Sequence, residues 1–172
     1  IQLLPGTDAA LALALMHELI VHDWLDHNYL AQHTLGWEQL KQRALQWPPE
    51  RAAQVCALPV EQIRALARAY GTTRPAAIRV NYGVQRVRGG GNAVRAIACL
   101  PALTGAWRER AGGVLFSSSG NFPVQRSALQ RPELLGERSP RTINMVTIGD
   151  DLLRDTSDAF GPKIEAVVVY NS

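Results

Sequence analysis

Apolar residues recur at helical spacing through most of the first seventy positions. A run of alanine and leucine follows Thr7 and Asp8, two residue types that cap helix N-termini. The wide apolar face of this run predicts a largely buried helix that ends near Val21. Further helices are predicted over about 27–35, 37–47 and 60–70. Residues 1–73 are therefore predicted to form a mainly helical segment.

The pattern changes after Arg74-Pro75. Residues 76–82 form a short apolar run of strand length, a glycine-rich loop follows over 83–91, and a helix is predicted from Asn92 to about Gly105. A strand, a glycine loop and a helix in this order are typical of the start of an α/β unit.

A second strand is predicted near the end of the chain. Residues 164–170 are apolar enough to be covered on both faces, as a parallel strand would be. A long Gly/Ser/Pro/Arg-rich loop around 112–140 and a short helix over 145–154 precede it. We therefore predict an α/β fold, with a helical N-terminal part followed by Rossmann-like parallel strands and flanking helices over 74–172.

Composition and charge narrow the class of protein. The chain has 172 residues, of which 47% are hydrophobic and 19% charged, as in ordinary globular proteins. Its net charge of +3 comes almost entirely from scattered arginines, so we expect no nucleic-acid partner. The longest apolar run near the start, residues 9–16, is too short to span a bilayer, so we expect no direct membrane insertion.

Metal and nucleophile chemistry have little support in the sequence. Cys56 and Cys99 lie far apart and match neither a zinc spacing nor a disulfide framework. The four histidines are separated by five, five and six positions, whereas two ligands on one helical face need a spacing of three or four. Residues 117–119 are serines without the nucleophile-elbow pattern. We therefore predict no metal ligand and no catalytic residue within this chain.

Polar residues stand at the ends of the two predicted strands. The first strand ends in Asn81-Tyr82-Gly83 and the second in Tyr170-Asn171-Ser172, and the carboxyl ends of parallel strands meet at one edge of a sheet. The loop after the first strand adds Gln85, two arginines and three glycines before a helix N-terminus, a combination suited to an anion. It matches neither the dinucleotide fingerprint nor the Walker loop, and a flexible surface loop with solvated arginines is the alternative.

Asp8 has two interpretations. It is either a helix cap or a carboxylate that accepts two hydrogen bonds from a planar N–H/NH₂ edge such as that of guanine. The sequence of the first helical turn does not decide between them.

Several segments resemble, in one order over most of the chain, a known family. They are Pro5-Gly6-Thr7-Asp8, Asn81-Tyr82-Gly83-Val84-Gln85-Arg86, Ala98-Cys99-Leu100-Pro101-Ala102-Leu103-Thr104-Gly105 and the strand over 166–172. The chain resembles an internal fragment of the large catalytic subunit of the molybdopterin oxidoreductases, in the dimethyl sulfoxide reductase and formate dehydrogenase superfamily.

The resemblance implies a cofactor and the residues that meet it. A longer parent would hold molybdenum or tungsten between two molybdopterin guanine dinucleotides and exchange two electrons with a small-molecule substrate such as formate, nitrate or a sulfoxide. The segment that meets a guanine would consist of Gly6, Thr7 and Asp8, with Asp8 on the N–H edge of the base. The pterin side of the cleft would be lined by Asn81, Gly83 and Gln85, and Asn171 would face the cofactor from the next strand.

The resemblance also implies what lies elsewhere in the parent. The residue that ligates the metal and the ligands of a [4Fe-4S] cluster are expected outside this fragment, so the fragment alone is expected to be inactive. The rest of the parent chain and electron-transfer subunits are the expected partners. The expected compartment is the cytoplasm or the periplasm of a bacterium, with the cytoplasm favoured.

Two other functions stay open. The chain could belong to a cofactor-free scaffold or electron-transfer subunit with the same fold, as in the respiratory NADH dehydrogenase, although such a descendant has no need of a carboxylate that accepts guanine. It could also be an autonomous nucleotide-binding module.

Overall fold

The computed structural model describes residues 1–118 and 121–170, which divide into two compact units, 1–122 and 123–172. The first unit contains six α-helices and a small sheet among its described residues. The helices are α1 Asp8–Val21, α2 His27–His33, α3 Trp37–Leu45, α4 Pro49–Cys56, α5 Val60–Thr72 and α6 Gly90–Leu103. The predicted boundary at 73/74 separates a helical from an α/β segment and stays a prediction.

The core of the first unit is built around α1. This helix packs against α3, α4, α5 and α6. Its alanines let neighbouring helices approach closely, and the side chains of Ala14, Met16 and Leu19 are fully buried. The prediction of a largely buried first helix is therefore confirmed.

Local signals set the helix ends that the sequence analysis anticipated. The Asp26 carboxylate accepts a hydrogen bond of 2.8 Å from the Tyr29 backbone N–H and so caps α2. Helix α3 stops before Pro48-Pro49. The same prolines begin α4, because Pro49 at the first helical position has its backbone φ already fixed near the helical value. The sequence analysis did not identify this helix.

The sheet of the first unit has two short parallel strands. Strand β1 is Ala77–Arg79 and strand β2 is Gly113–Leu115, and Ala77 pairs with Gly113. Helix α6 and a 3₁₀ turn over Tyr82–Arg86 connect them. As predicted, α6 continues through Pro101, and the α/β class is confirmed. The sheet is parallel as expected, but β1 pairs with a strand other than the predicted one.

Strand β2 lies in the segment that was predicted to be a loop, and that part of the prediction is wrong. Three residues are too few to show the alternation or the apolar run by which strands are identified in a sequence. The segment also holds helix α7 Arg126–Gln130 and a 3₁₀ turn over Pro132–Leu135.

The predicted strand over 164–170 is also wrong in this structure. These residues belong to the second unit, where they form no strand, and the side chains of Val168 and Tyr170 are 95% and 93% exposed. A strand needs a neighbour to pair its backbone N–H and C=O groups, and the described residues supply none here.

The predicted short helix is confirmed as α8 Ile148–Leu153. Within the described ranges, no helix combines the length and the apolar character needed to cross a bilayer.

Candidate functional site

Two turns of the first unit enclose a small cleft, which we call the turn cleft. It has a volume of about 260 Å³ and is lined by Leu3, Leu4, Pro5, Gly6, Asp8, Gly83, Val84 and Val87. Three predicted site residues therefore come together here from distant parts of the chain. Gly6 and Asp8 come from the turn before α1, and Gly83 comes from the 3₁₀ turn after β1.

The turn before α1 is fixed by hydrogen bonds on both sides of Leu4, one of them from Thr7. The Thr7 hydroxyl donates to the Leu4 carbonyl at 2.7 Å, and the Leu4 N–H donates to the Cys56 carbonyl at 3.1 Å. Gly6 has φ +82°, a backbone conformation that favours glycine. Thr7 thus shapes the turn, and its side chain lines neither this cleft nor the one described next.

Asp8 is the first residue of α1, and Thr7, the residue before it, occupies the cap position. Neither side chain makes a capping hydrogen bond. The Asp8 carboxylate is half-buried, and the described part of the chain offers it no hydrogen-bond or ion-pair partner. The positive end of the helix dipole stabilises a negative charge at this position. Asp8 therefore presents an ionised acceptor, with its hydrogen-bonding capacity unused, to the turn cleft.

A second cleft runs along β1, and we call it the strand cleft. Its volume is about 400 Å³, and it shares Asp8 and Val84 with the turn cleft. The other lining residues are Leu11, Ala12, Leu15, Leu66, Tyr70, Ala77, Ile78, Arg79, Val80, Asn81, Ile97 and Leu100. The strand cleft is a mainly apolar space with a few polar groups at its edge.

Asn81 stands where β1 passes into the 3₁₀ turn. Its side-chain oxygen accepts a hydrogen bond of 2.8 Å from the Tyr82 N–H, which starts that turn. This contact leaves the Asn81 amide NH₂ group without an acceptor among the described residues. Asn81 and Asp8 are both predicted site residues, and the structure places both in the lining of this cleft.

Gln85 does not join the other predicted residues. It is exposed and lines neither cleft, and the same is true of Arg86 and Arg88. Its backbone lies so close to the start of α6 that a Cβ atom on Gly90 would come within 2.6 Å of it. The glycine loop was expected either to cradle an anion or to be a flexible surface loop, and Asn92 was expected to cap the next helix. The cap is Gly89 instead, with φ +79°, and the glycines allow a tight turn into α6.

Asn171 lies outside the described residues, so its place relative to the two clefts stays a prediction.

Most of the residues that line the two clefts were not named as site residues by the sequence analysis, and Val84 and Tyr70 are two of them. Val84 belongs to both clefts, and an isolated valine in a polar turn carries no sequence signal for that position. Tyr70 lies at the end of α5, where its apolar ring looks like any core residue. Burial raises the pKa of the Tyr70 hydroxyl, while the nearby Thr104 hydroxyl and the charge of Arg74 act in the opposite direction.

The two cysteines are unpaired thiols, as the spacing predicted. Cys56 is buried and contacts the Thr7 carbonyl at 3.6 Å from its sulfur. Burial raises the pKa of the Cys99 thiol, and the charge of Arg95 partly opposes this. Neither thiol lines one of the two clefts.

Comparison with known proteins identifies the family. No family model matches the chain. It is 40% identical over 168 residues to the probable oxidoreductase YoaE of Bacillus subtilis, a match that covers 98% of this chain and 24% of the relative. It is 32% identical over 114 residues to the F420-dependent formate dehydrogenase subunit alpha of Methanocaldococcus jannaschii, with 66% of this chain and 17% of that subunit covered. The solved structure of acetylene hydratase from Pelobacter acetylenicus matches 63% of this chain and 15% of its own, with 28% identity and a TM-score of 0.61.

The chain belongs to the molybdopterin oxidoreductases. It spans about a quarter of the Bacillus relative and less of the other two proteins. The resemblance stated from the sequence motifs is thereby confirmed, and so is the α/β fold that it implied. The names of these relatives include a probable oxidoreductase and a formate dehydrogenase subunit, each several times longer than this chain.

The side chains of this molybdopterin oxidoreductase chain can be compared with what a metal–pterin cofactor would need. Across 1–118 and 121–170, no three His, Cys, Asp or Glu side chains gather in a way that could hold a metal ion. The turn cleft, by contrast, offers an unpartnered carboxylate between apolar walls. The residues present therefore fit an organic part of the cofactor, namely a planar group with adjacent N–H donors.

Proposed function

We propose that the parent protein is a molybdenum- or tungsten-dependent oxidoreductase that binds bis(molybdopterin guanine dinucleotide), and that this chain forms part of the cradle of that cofactor. The observation that carries the proposal is the convergence of Gly6, Asp8 and Gly83 on the turn cleft. These residues come from two distant segments of the chain. The sequence similarity to the family and the geometry of the turn cleft are therefore independent observations that support the same cofactor.

The chemistry of the turn cleft suits guanine. The N1–H and the 2-amino group of guanine are neighbouring donors, and an ionised carboxylate accepts both with its two oxygens. Asp8 supplies such a carboxylate at a helix N-terminus, and the apolar side chains of Val84 and Val87 supply contact surface for the faces of a planar ring. In this proposal Asp8 binds and orients the base. Gly83, which the resemblance assigned to the pterin side, lines the turn cleft instead and leaves room for the base, since no atom beyond its chain neighbours lies within 4 Å of where its Cβ would be.

The pterin end of the cofactor is assigned to the strand cleft. Asn81 lines this cleft and retains its amide NH₂ donors. Gln85 and Asn171 complete the proposed set, on the strength of the family resemblance alone. When bound, the metal–pterin group supplies two-electron exchange with a small substrate, while the residues of this chain hold and orient the organic part and exclude water from it.

The remaining features of the parent are proposals of the same kind. Substrate classes consistent with the family are formate, nitrate and sulfoxides. A [4Fe-4S] cluster and the metal ligand would be supplied by the rest of the parent, and electron-transfer subunits would be its partners. This fragment alone would have no turnover. A cytoplasmic or periplasmic location in a bacterium is proposed, with the cytoplasm favoured.

One observation argues against the cofactor-free scaffold. The helix dipole favours a carboxylate at the position of Asp8 in either case, but a scaffold has no use for hydrogen-bonding capacity that is left unused at the wall of a cleft. Asp8 has such unused capacity, since it accepts no hydrogen bond from any described residue.

The test uses the full-length parent, expressed with molybdate or tungstate. Bound metal is measured by mass spectrometry, and GMP released by acid hydrolysis is measured per polypeptide. We expect both in the wild-type protein. Absence of metal and of GMP would contradict the cofactor proposal and favour the scaffold.

A pair of variants tests Asp8 itself. Asp8→Ala removes the acceptor, and Asp8→Asn keeps its size but loses the charge. Because a hydrogen bond to a charged group is worth about 1.5–3 kcal/mol, we expect cofactor affinity to fall by about 10- to 100-fold. The matched control is Glu61→Ala, which removes an exposed carboxylate from the first turn of α5. If Asp8→Ala retains as much GMP as Glu61→Ala does, the guanine role of Asp8 is wrong.

A further inference from the structure

The second unit contains a cleft of its own, which we call the arginine cleft. It has a volume of about 320 Å³ and lies between the segment before α8 and the segment after it. The residues that matter for its chemistry are Arg141, Asn144, Thr147, Asp151, Arg154 and Phe160. None of them belongs to the turn cleft or to the strand cleft.

The charges in this cleft do not balance. The nearly buried Asp151 carboxylate accepts a hydrogen bond of 3.0 Å from the Thr147 hydroxyl and lies 3.4 Å from the Arg154 guanidinium. It therefore compensates Arg154. Arg141 contacts only neutral groups among the described residues: it donates to the Phe160 carbonyl and lies over the Phe160 ring. One positive charge is left over.

One aromatic ring orients both guanidinium groups. The guanidinium carbons of Arg141 and Arg154 lie 4.2 Å and 5.1 Å from the centroid of Phe160. A guanidinium over a ring uses its flat face, so the N–H groups that are not engaged with the Phe160 carbonyl or with Asp151 stay available to an oxyanion. The ring therefore holds two sets of donors near each other at low cost in side-chain entropy.

A neutral donor adds to this set. The Asn144 side-chain oxygen accepts a hydrogen bond of 3.0 Å from the Val146 N–H, which fixes the orientation of the amide. Its NH₂ group has no acceptor among the described residues. Two guanidinium groups and one amide NH₂ group thus line a cleft with a surplus positive charge.

We propose that the arginine cleft binds a phosphate-class oxyanion through Arg141 and Arg154, with Asn144 as a neutral donor. Charge-assisted bonds from arginine to tetrahedral oxyanions are short and directional, and a planar fork suits two oxygens of one phosphate group. The phosphate group is either a free inorganic ion or part of a nucleotide. This site does not depend on the role proposed for the turn cleft.

The test is calorimetric titration of the full-length parent with inorganic phosphate and, separately, with GDP. We expect saturable binding that Arg141→Gln and Arg154→Gln each weaken at least tenfold. Phe160→Leu keeps both charges but removes the stacking surface, and we expect a smaller loss of about three- to tenfold. The matched control is Arg126→Gln, which removes one charge from the same unit at an exposed position outside the cleft, and we expect it to stay within twofold of the wild type.

The two probes distinguish the source of the phosphate. Phosphate binding equal to or tighter than GDP binding assigns a free oxyanion, and GDP binding at least tenfold tighter, with the same arginine dependence, assigns a nucleotide. If neither probe binds, or if the two cleft arginine variants bind both probes within twofold of the wild type or lose no more than Arg126→Gln, the proposal is overturned. Circular dichroism of each variant establishes that it is folded, and Phe160→Leu supplies an independent reading should an arginine variant unfold.

Discussion

Helix α1 and residues 164–170 are both strongly apolar runs, and they occupy opposite environments. Leu19 in α1 is fully buried, whereas Val168 is 95% exposed. Each run belongs to its own unit. A helix satisfies its backbone hydrogen bonds within itself and needs neighbours only for its side chains, whereas a strand also needs a partner for its backbone. A strongly apolar sequence therefore predicts that a segment is to be buried. Whether the described residues can bury it depends on whether it is a helix, which needs side-chain contacts only, or a strand, which also needs a pairing partner.

The largest expected effect comes from removing a side chain of α1. Leu19→Ala leaves a cavity among α1, α5 and their neighbours, and we expect the free energy of unfolding to fall by about 2–5 kcal/mol. The matched change Val168→Ala removes an apolar side chain that is exposed, and we expect less than about 0.5 kcal/mol. Denaturant unfolding of both variants measures the difference. A loss for Val168→Ala as large as that for Leu19→Ala would show that residues 164–170 are covered after all.

An intermediate effect is expected at Gly105, where a carboxylate lies close to the backbone. Gly105 has φ +70°, and a methyl group on it would collide with the Asp26 carboxylate. That carboxylate caps α2 and forms an ion pair with Arg108. We therefore expect Gly105→Ala to destabilise the protein by about 1–3 kcal/mol.

The control for this substitution lies in α6. A Cβ on Gly91 would meet no atom within 4 Å, and we expect Gly91→Ala to stabilise the protein by about 0.4–1 kcal/mol because alanine lowers the entropy of the unfolded chain. Thermal unfolding compares the two variants. Equal effects of the two would mean that the close approach of Asp26 to Gly105 is not maintained in solution.

The smallest expected effect concerns Tyr70 and pH. Burial raises its pKa above the ordinary value of about 10, so the unfolded chain loses this proton at a lower pH than the folded chain does. The free energy of unfolding is therefore unaffected by Tyr70 below about pH 10, and it falls as the pH rises from there toward the pKa of the folded state. We expect Tyr70→Phe to reduce the fall in stability above pH 10. Urea unfolding at pH 8 and pH 10.5 measures the loss of stability between the two pH values. An equal loss in Tyr70→Phe and in the wild type would contradict the role of Tyr70.

The comparison also explains which parts of the fold could be predicted from the sequence. Helices α1, α2, α3 and α5 follow from periodicity, caps and prolines, all of which act within a few residues. Strand β2 could not be predicted, because its three residues are defined only by pairing with β1. The strand over 164–170 was predicted from composition, which does not say whether a pairing partner is present.

The candidate site shows the same division. Gly6, Asp8, Asn81 and Gly83 were named from motifs, and the structure gathers them around two adjoining clefts. Val84 could not be named, because its position depends on how the 3₁₀ turn after β1 lies against the turn before α1. Gln85 stands in the same motif but lines neither cleft, so its role rests on the family resemblance and stays a prediction.

The pairing of β1 with β2 has a consequence for the order of folding. Ala77 meets Gly113 only after the intervening chain, including all of α6, has been brought back across the unit. The entropy lost in closing that long loop is compensated by only three residue pairs, so the sheet cannot nucleate by itself. We expect α1 to pack first against α3, α4 and α5, which are nearer to it in sequence than α6, and the two strands to join last, so that mutations in β1 chiefly accelerate unfolding.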